Sequence, residues 1–246
     1  MSLAISGLSY AYGAKQALID AEFGAKSGRF TALLGPNGAG KSTLFGVLSG
    51  LLRAQDGQIT VAGHDMTRAP RKALARMGIV FQQSTLDLDL TVHQNLMYFA
   101  ALRGLAGRAA RDRIDQALDR LEMRERAAEK VRALNGGHRR RTEIARALLH
   151  SPDILLLDEP TVGLDAASRQ AITGHVHDLA DAGLAVLWAT HLTDEVRKED
   201  DLVVLHQGRV LASGTVHALV GEQSLRSYFL YKTGGMPADA VPQVPG

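Results

Sequence analysis

The sequence predicts an α/β fold built on a largely parallel sheet. Three observations predict it. Apolar, strand-sized runs at Phe30–Leu34, Gly78–Phe81, Ile154–Leu157 and Leu184–Ala189 alternate with helical stretches over Phe30–Leu205, as expected of strands covered on both faces by crossover helices. A glycine-rich turn joins the first of these strands to the first helical stretch. With 46% apolar and 22% charged residues in a chain of 246, the composition is ordinary for a globular protein long enough to bury a substantial core.

Taken in order, the first 30 residues alternate polar and apolar with glycine at Gly7, Gly13, Gly24 and Gly28, which reads as antiparallel strands joined by turns. Phe30–Leu34 is a short strand ending at Gly35, and Ser42–Leu51 is an apolar helix. Gln58–Ala62 and Gly78–Phe81 are further strands. From about Thr91 to Ala133 the pattern is helical and charged. Between Arg103 and Arg146 there are 13 Arg or Lys against 7 Asp or Glu. Two readings fit that excess: a solvated helical face, or a surface for an anionic or membrane-proximal partner. Beyond Thr233, Gly, Pro and Ala dominate, the composition of a loose tail. The expected organisation is one domain over residues 1–233, with a helical insert at about 84–146 and a tail over 234–246.

Composition also excludes. With no cysteine, disulfides, thiolate metal sites and a cysteine nucleophile are ruled out. A formal charge of +2 and a pI near 9.0 are only mildly basic, and no nucleic-acid partner is expected. No run approaches the roughly 18 apolar residues of a membrane span. The opening MSLAISGLSYAYG has no charged start followed by an apolar run, so a cytosolic location, or the cytosolic face of another component, is expected.

Gly35-Pro-Asn-Gly-Ala-Gly-Lys-Ser42 fits the GxxxxGK[ST] pattern in its required context, after a strand and opening a helix. Glycines let the backbone curl so that N–H groups converge on phosphate oxygens, and the helix adds its positive end. Lys41 supplies a point charge, and the Ser42 hydroxyl is a hard oxygen donor suited to Mg²⁺. This motif alone indicates a nucleoside triphosphate. The run Ile154–Asp158, followed by Glu159, is an apolar strand ending in two carboxylates at the ligand end of a parallel sheet. There Asp158 can hold Mg²⁺, and Glu159 can orient or deprotonate an attacking water.

Together these motifs resemble the ATP-binding subunit of an ATP-binding cassette (ABC) transporter, over about residues 3–220. "LGPNGAGKSTL" is close to the family's Walker A sequence, and "ILLLDEPTVGLD" to its Walker B and D-loop region, with Asp165 at the D-loop aspartate. "ATHLTDEV" carries His191 at the switch-histidine position, and "GIVFQQ" places Gln82 at the Q-loop. Tyr12, 29 residues before Lys41, suits the aromatic that stacks on adenine. Plainer readings stand beside these. Tyr12 can be simple packing, Gln82 or Gln83 a polar strand end, and His191 a structural histidine. The other histidines, His175 and His177 included, form no trusted metal-ligand pattern.

The resemblance implies a P-loop NTPase with a RecA-like parallel core, an antiparallel β subdomain and a helical insert. It implies ATP and Mg²⁺ as cofactors. Gly35, Pro36, Asn37, Gly38, Ala39, Gly40, Lys41, Ser42 and Thr43 would hold the phosphates, and Ser42, Gln82 and Asp158 the metal. Glu159, His191, Lys41 and Gln82 would serve hydrolysis. One motif departs: where the family usually has LSGGQ, this chain has Leu134-Asn-Gly-Gly-His138, then Arg139-Arg-Arg141. The family's loop caps the nucleotide of a second cassette, so Asn135, Gly136, Gly137 and Asp165 are expected at a partner's ATP. His138 puts a group that ionises near neutral pH where an amide is usual. LNGGH also resembles ATPase subunits associated with pyrroloquinoline-quinone-dependent alcohol oxidation. The expected partners are a second cassette and a transmembrane permease, at the cytoplasmic face of the inner membrane. "TVGLD" and the compact insert resemble cassettes of ABC-2-type exporters. The alternatives are a regulatory cassette with little turnover and a soluble ABC ATPase of DNA repair or translation. The single cassette and short insert speak against the last.

Overall fold

The computed structural model describes residues 1–235; of the tail expected over 234–246, only its first two residues fall within that range. Ten strands and eight α-helices are described. Strands β1 (Leu3–Tyr12) and β2 (Lys15–Ala25) open the chain, followed by β3 (Phe30–Leu34), α1 (Lys41–Leu48), β4 (Asp56–Val61) and β5 (His64–Asp65). After α2 (Pro70–Leu74) and β6 (Met77–Val80) come α3 (Val92–Leu102), α4 (Gly107–Arg120) and α5 (Gly136–Leu148). Then follow β7 (Ile154–Asp158), α6 (Ala166–Asp181), β8 (Ala185–Thr190), β9 (Asp201–His206), β10 (Arg209–Thr215), α7 (Val216–Val220) and α8 (Leu225–Lys232).

Strands β3, β7 and β8 are buried at every residue, because the sheet they form is covered on both faces. That sheet has six strands in the order β10-β9-β3-β8-β7-β6. All neighbours are parallel except β10, which joins β9 as an antiparallel edge. Side chains alternate between two cores, as strand geometry requires. Ala32, Leu155, Leu157, Val186 and Trp188 pack with α3–α6 on one side. Leu33, Leu156, Leu187 and Val203 pack with α1 and the second sheet on the other. The second sheet, β2-β1-β4-β5, is antiparallel throughout. Leu44, Phe45, Val47 and Leu48 of α1 are buried between the two sheets, so the start of this helix is held from both sides.

Two glycines read as turns have other roles. Gly13 and Gly28 lie at loops with φ of 59° and 71°. Gly7 has φ 62° inside β1, where the pairing with β2 shifts register between Ile5 and Leu8; it serves a bulge. Gly24 sits within β2, where a Cβ would come 2.8 Å from the Leu3 carbonyl oxygen. Four exposed basic residues of the insert pair with acids: Arg108 with Asp112, Arg124 with Asp115 and Asp119, Arg126 with Glu129, and Arg132 with Asp89. These exposed pairs contribute little stability each, and they fit a solvated face. His177 stacks on Phe30 with ring centroids 3.9 Å apart and meets Asp200 at 3.0 Å, joining α6 to the entry of β9.

His150, just beyond α5, lies with Nε2 3.0 Å from the Met77 carbonyl oxygen, while its Nδ1 is buried without a partner. Burial first, and then the Arg103 charge, holds this imidazole below the ordinary histidine range, against an opposing pull from the Met77 carbonyl. A histidine with a lowered folded pKa favours folding while both states are neutral. As the pH falls below about 6.5, the unfolded chain takes up the proton first and that contribution is lost. The thermal midpoint should therefore fall between about pH 7 and pH 5, and His150→Gln should shrink that fall. Identical midpoint-against-pH curves for the two proteins would contradict the assignment.

Candidate active site

The loop between β3 and α1 turns where only glycine fits. Gly38 and Gly40 have φ of 81° and 111°, and a Cβ on Gly40 would lie 2.6 Å from the Ala17 carbonyl oxygen. A Cβ on Gly35 would lie 2.6 Å from the Leu205 carbonyl oxygen. The loop is thus pressed between β2 and the end of β9. As N-cap of α1, Gly40 offers no side chain to the helix's first N–H groups. Those donors and the helix dipole are left to an anion.

Lys41 is 5% exposed. Its Nζ donates to the Gly35 and Pro36 carbonyl oxygens at 2.7 and 3.2 Å and pairs with Glu159 Oε1 at 3.0 Å. Glu159 follows β7 with φ 45°, a left-handed conformation unusual for a non-glycine. Its N–H donates to the Ala189 carbonyl oxygen at 3.0 Å, tying the turn to β8. Gln82 Nε2 donates to Glu159 Oε2 at 3.4 Å, and His191 Nδ1 lies 3.5 Å from Oε1. Lys41, Gln82, Glu159 and His191, read from four separate motifs, therefore meet around one carboxylate.

They line a cleft of about 850 Å³ with Tyr12, Asn37, Gly38, Gly40, Ser42 and Thr43. Gln83 is not among the lining residues, and neither are Gly35, Pro36, Ala39 and Asp158. Tyr12 is 52% exposed at the end of β1, its ring 5.0 Å from that of Tyr10. Val162, three residues after Glu159, and Lys15, Gln16, Ala17, Gln207 and Gly208 complete the wall. The last five could not be read from the sequence, because the start of β2 and the β9–β10 connection are distant in the chain and carry no motif.

Asp158 is 5% exposed. Burial and then the neighbouring Glu159 charge raise its pKa, while Lys41, the Ser42 hydroxyl and Arg140 oppose the rise. Its Oδ1 is buried with no hydrogen-bond partner, an orphan acceptor beside a hydroxyl, which is chemistry fitted to a hard cation. No three His, Cys, Asp or Glu residues cluster for a metal among the described residues. A cation here would draw its remaining ligands from phosphate oxygens and water.

Asn135, Gly136, Gly137 and Asp165 lie outside the cleft and form a second group. Asn135 caps α5, its Oδ1 accepting from the His138 N–H at 2.8 Å; the amide nitrogen is the end left for a ligand. A Cβ on Gly136 would lie 2.8 Å from Leu164 Cδ2, and one on Gly137 2.8 Å from Ser168 Oγ. Asp165 caps α6 through the Ser168 N–H at 2.8 Å. The signature glycines therefore pack on the D-loop. Burial, then the charges of Arg126 and Arg141, lower the His138 pKa, so at neutral pH this imidazole is neutral like the amide it replaces.

Glu195 was not singled out from "ATHLTDEV", although the motif contains it. It is 3% exposed and accepts from three buried donors. Trp188 Nε1 and Thr190 Oγ1 reach its Oε2 at 2.9 and 2.6 Å, and Thr161 Oγ1 reaches its Oε1. One carboxylate thus joins the strand before His191 to the segment after Glu159.

The fold and this site define a P-loop ATPase cassette. A family model described as ABC transporter matches residues 18–162. The chain is 38% identical over 241 residues to the daunorubicin resistance ATP-binding protein DrrA3 of Streptomyces coeruleorubidus, covering 98% of this chain and 73% of that one. It is also 38% identical over 224 residues to the Nod factor export ATP-binding protein I of Rhizobium johnstonii, covering 91% and 72%. The dimeric post-hydrolysis state of the ATP-binding cassette MJ0796 bound to ADP and Pi superposes with a TM-score of 0.76 at 26% identity, covering 87% of this chain and 98% of that one. The chain belongs to the ABC transporter family, as one of its ATP-binding, ATP-hydrolysing subunits.

Glu195→Ala should lower unfolding stability by on the order of 3 kcal/mol, because three buried donors lose their acceptor. A urea titration checks this; a midpoint equal to wild type would remove Glu195 from the architecture.

Proposed function

We propose that this cassette drives export of a substrate through a separate transmembrane subunit of ABC-2 type, by ATP-dependent closure of two cassettes and hydrolysis that releases them. The convergence of Lys41, Gln82 and His191 on Glu159 is the observation that carries the hydrolytic half. Export is supported by relatives whose names specify drug resistance and Nod factor export. Pairing is supported by the second cluster, Asn135–Gly137 against Leu164 and Ser168, which stands apart from the cleft and would cap a partner's nucleotide.

In this reading Tyr12 stacks on the base, which tolerates any base because each has a π-face. The phosphate loop and Lys41 neutralise charge that grows as the γ-phosphoryl group moves. Glu159 orients and polarises the attacking water, and His191 and Gln82 hold its carboxylate in place. Ser42, Asp158 and Gln82 would hold Mg²⁺, which when bound acts as a Lewis acid on the phosphate oxygens.

No helix among the described residues is long and apolar enough to cross a membrane. We place the chain at the cytoplasmic face of the inner membrane through its permease. Leu88, Tyr98 and Leu102, 45–64% exposed on the helical insert, are the apolar surface we assign to that contact. The altered signature, Asn135 and His138, favours a second reading: a regulatory cassette that binds ATP with little turnover. Steady-state phosphate release by the assembled complex separates the two.

Glu159→Gln should retain ATP and slow hydrolysis by at least about 100-fold, leaving an ATP-bound dimer visible by size-exclusion chromatography with light scattering. Wild-type turnover in this variant would refute the role of Glu159.

A further inference from the structure

Residues 81–85, between β6 and α3, belong to neither helix nor strand. Their backbone groups need partners from elsewhere. Two side chains from one turn of α5 supply them. Arg140 Nη1 donates to the Phe81 carbonyl oxygen at 2.6 Å, and Nη2 to the Gln82 carbonyl oxygen at 2.7 Å. Arg140 Nη1 also donates to Glu143 Oε2 at 2.7 Å, while Glu143 Oε1 accepts from the Thr85 N–H at 3.0 Å. Arg140 and Glu143 are 8% and 2% exposed, and their i, i+3 spacing puts both on one face of α5.

A buried ion pair is a poor source of net stability and is often matched by apolar packing. What this one provides is position: a planar fork reaches three acceptors at fixed angles, which a lysine ammonium cannot reproduce. The gripped carbonyl belongs to Gln82, whose side chain meets Glu159. The same helix begins at the Asn135 cap. A second link runs outward, with Arg146 Nη1 donating to Thr85 Oγ1 at 2.6 Å while its guanidinium lies 4.5 Å from the Phe99 ring centroid on α3.

We propose that Arg140 and Glu143 are positioning residues that lock the Gln82 segment to α5, so that the glutamine facing Glu159 moves as one body with the signature helix. The proposal rests on the reading of Gln82 as a residue of the hydrolytic site. Rotation of α5, or of α3 through Arg146 and Thr85, would then shift Gln82 relative to Glu159 without any new contact at the nucleotide.

The test is a double-mutant cycle on the full chain, reading ATP hydrolysis and amide hydrogen exchange. Arg140→Met should lower kcat on the order of 10-fold with the KM for ATP within about twofold. In a Gln82→Ala background it should lower kcat no further, because the two act through one path. The Thr85 amide should exchange faster in Arg140→Met and in Glu143→Gln, with protection of β7 unchanged. Arg140→Lys should recover only part of the loss. Should Arg140→Met fail to fold, Glu143→Gln carries the same two readouts. An equal kcat loss in both backgrounds, or unchanged exchange across residues 81–85, overturns the proposal and leaves the role of Gln82 standing. Unchanged turnover in Gln82→Ala alone overturns both.

Discussion

A nearly dry lysine ammonium sets the centre of this molecule. A buried charge is tolerated only when its donors are matched, and Lys41 finds its acceptors in two places: the carbonyls of Gly35 and Pro36 in its own loop, and the carboxylate of Glu159 at the end of β7. The first pair obliges the loop to curl around the start of α1. The last obliges β7, which lies across β8 from β3, to end level with that loop. The parallel pairing of β3 with β8, and of β8 with β7, brings these ends level.

The same constraint explains where the backbone is strained. Gly40 at φ 111° directly precedes Lys41, and Glu159 at φ 45° carries the carboxylate that pairs with it. For glycine the conformation carries little penalty. For glutamate it does, and the strain persists because the Glu159 N–H is held by the Ala189 carbonyl and the segment beyond is fixed by Thr161 on Glu195. Glu195 stands behind the site much as Lys41 stands within it: a buried charge whose partners come from separate segments and so fix their spacing.

The division into two clusters shapes how the chain works. The cleft gathers at the start of α1 and the Asn135–Asp165 group at the starts of α5 and α6, and α5 connects the second group to residues 81–85. The cap of that helix faces outward, while its second turn reaches back to residues 81–85. In the function proposed above, the chain supplies half of one site and half of another, and association then acts directly on chemistry.

Much of this was legible beforehand. Strands β3, β7 and β8 could be read because burial on both faces leaves an uninterrupted apolar run. The phosphate loop could be read because its turns admit only glycine at set positions, and Asp158 and Glu159 because they end such a strand beside it. These are local constraints, written in consecutive residues. Gly7 and Gly24 were misread because a bulge and a close strand contact use the same residue as a turn. Lys15, Gln207 and the Arg140–Glu143 pair escaped notice because their meaning lies in segments tens of residues away, and Glu195 because its burial against Trp188, Thr190 and Thr161 is not written in its neighbours. Local chemistry therefore determined the class of fold and which groups could be proposed to react. Only the tertiary structure decided which walls close the cleft and which buried charges hold those groups in register, since hydrogen bonds between distant segments leave no periodicity in the chain.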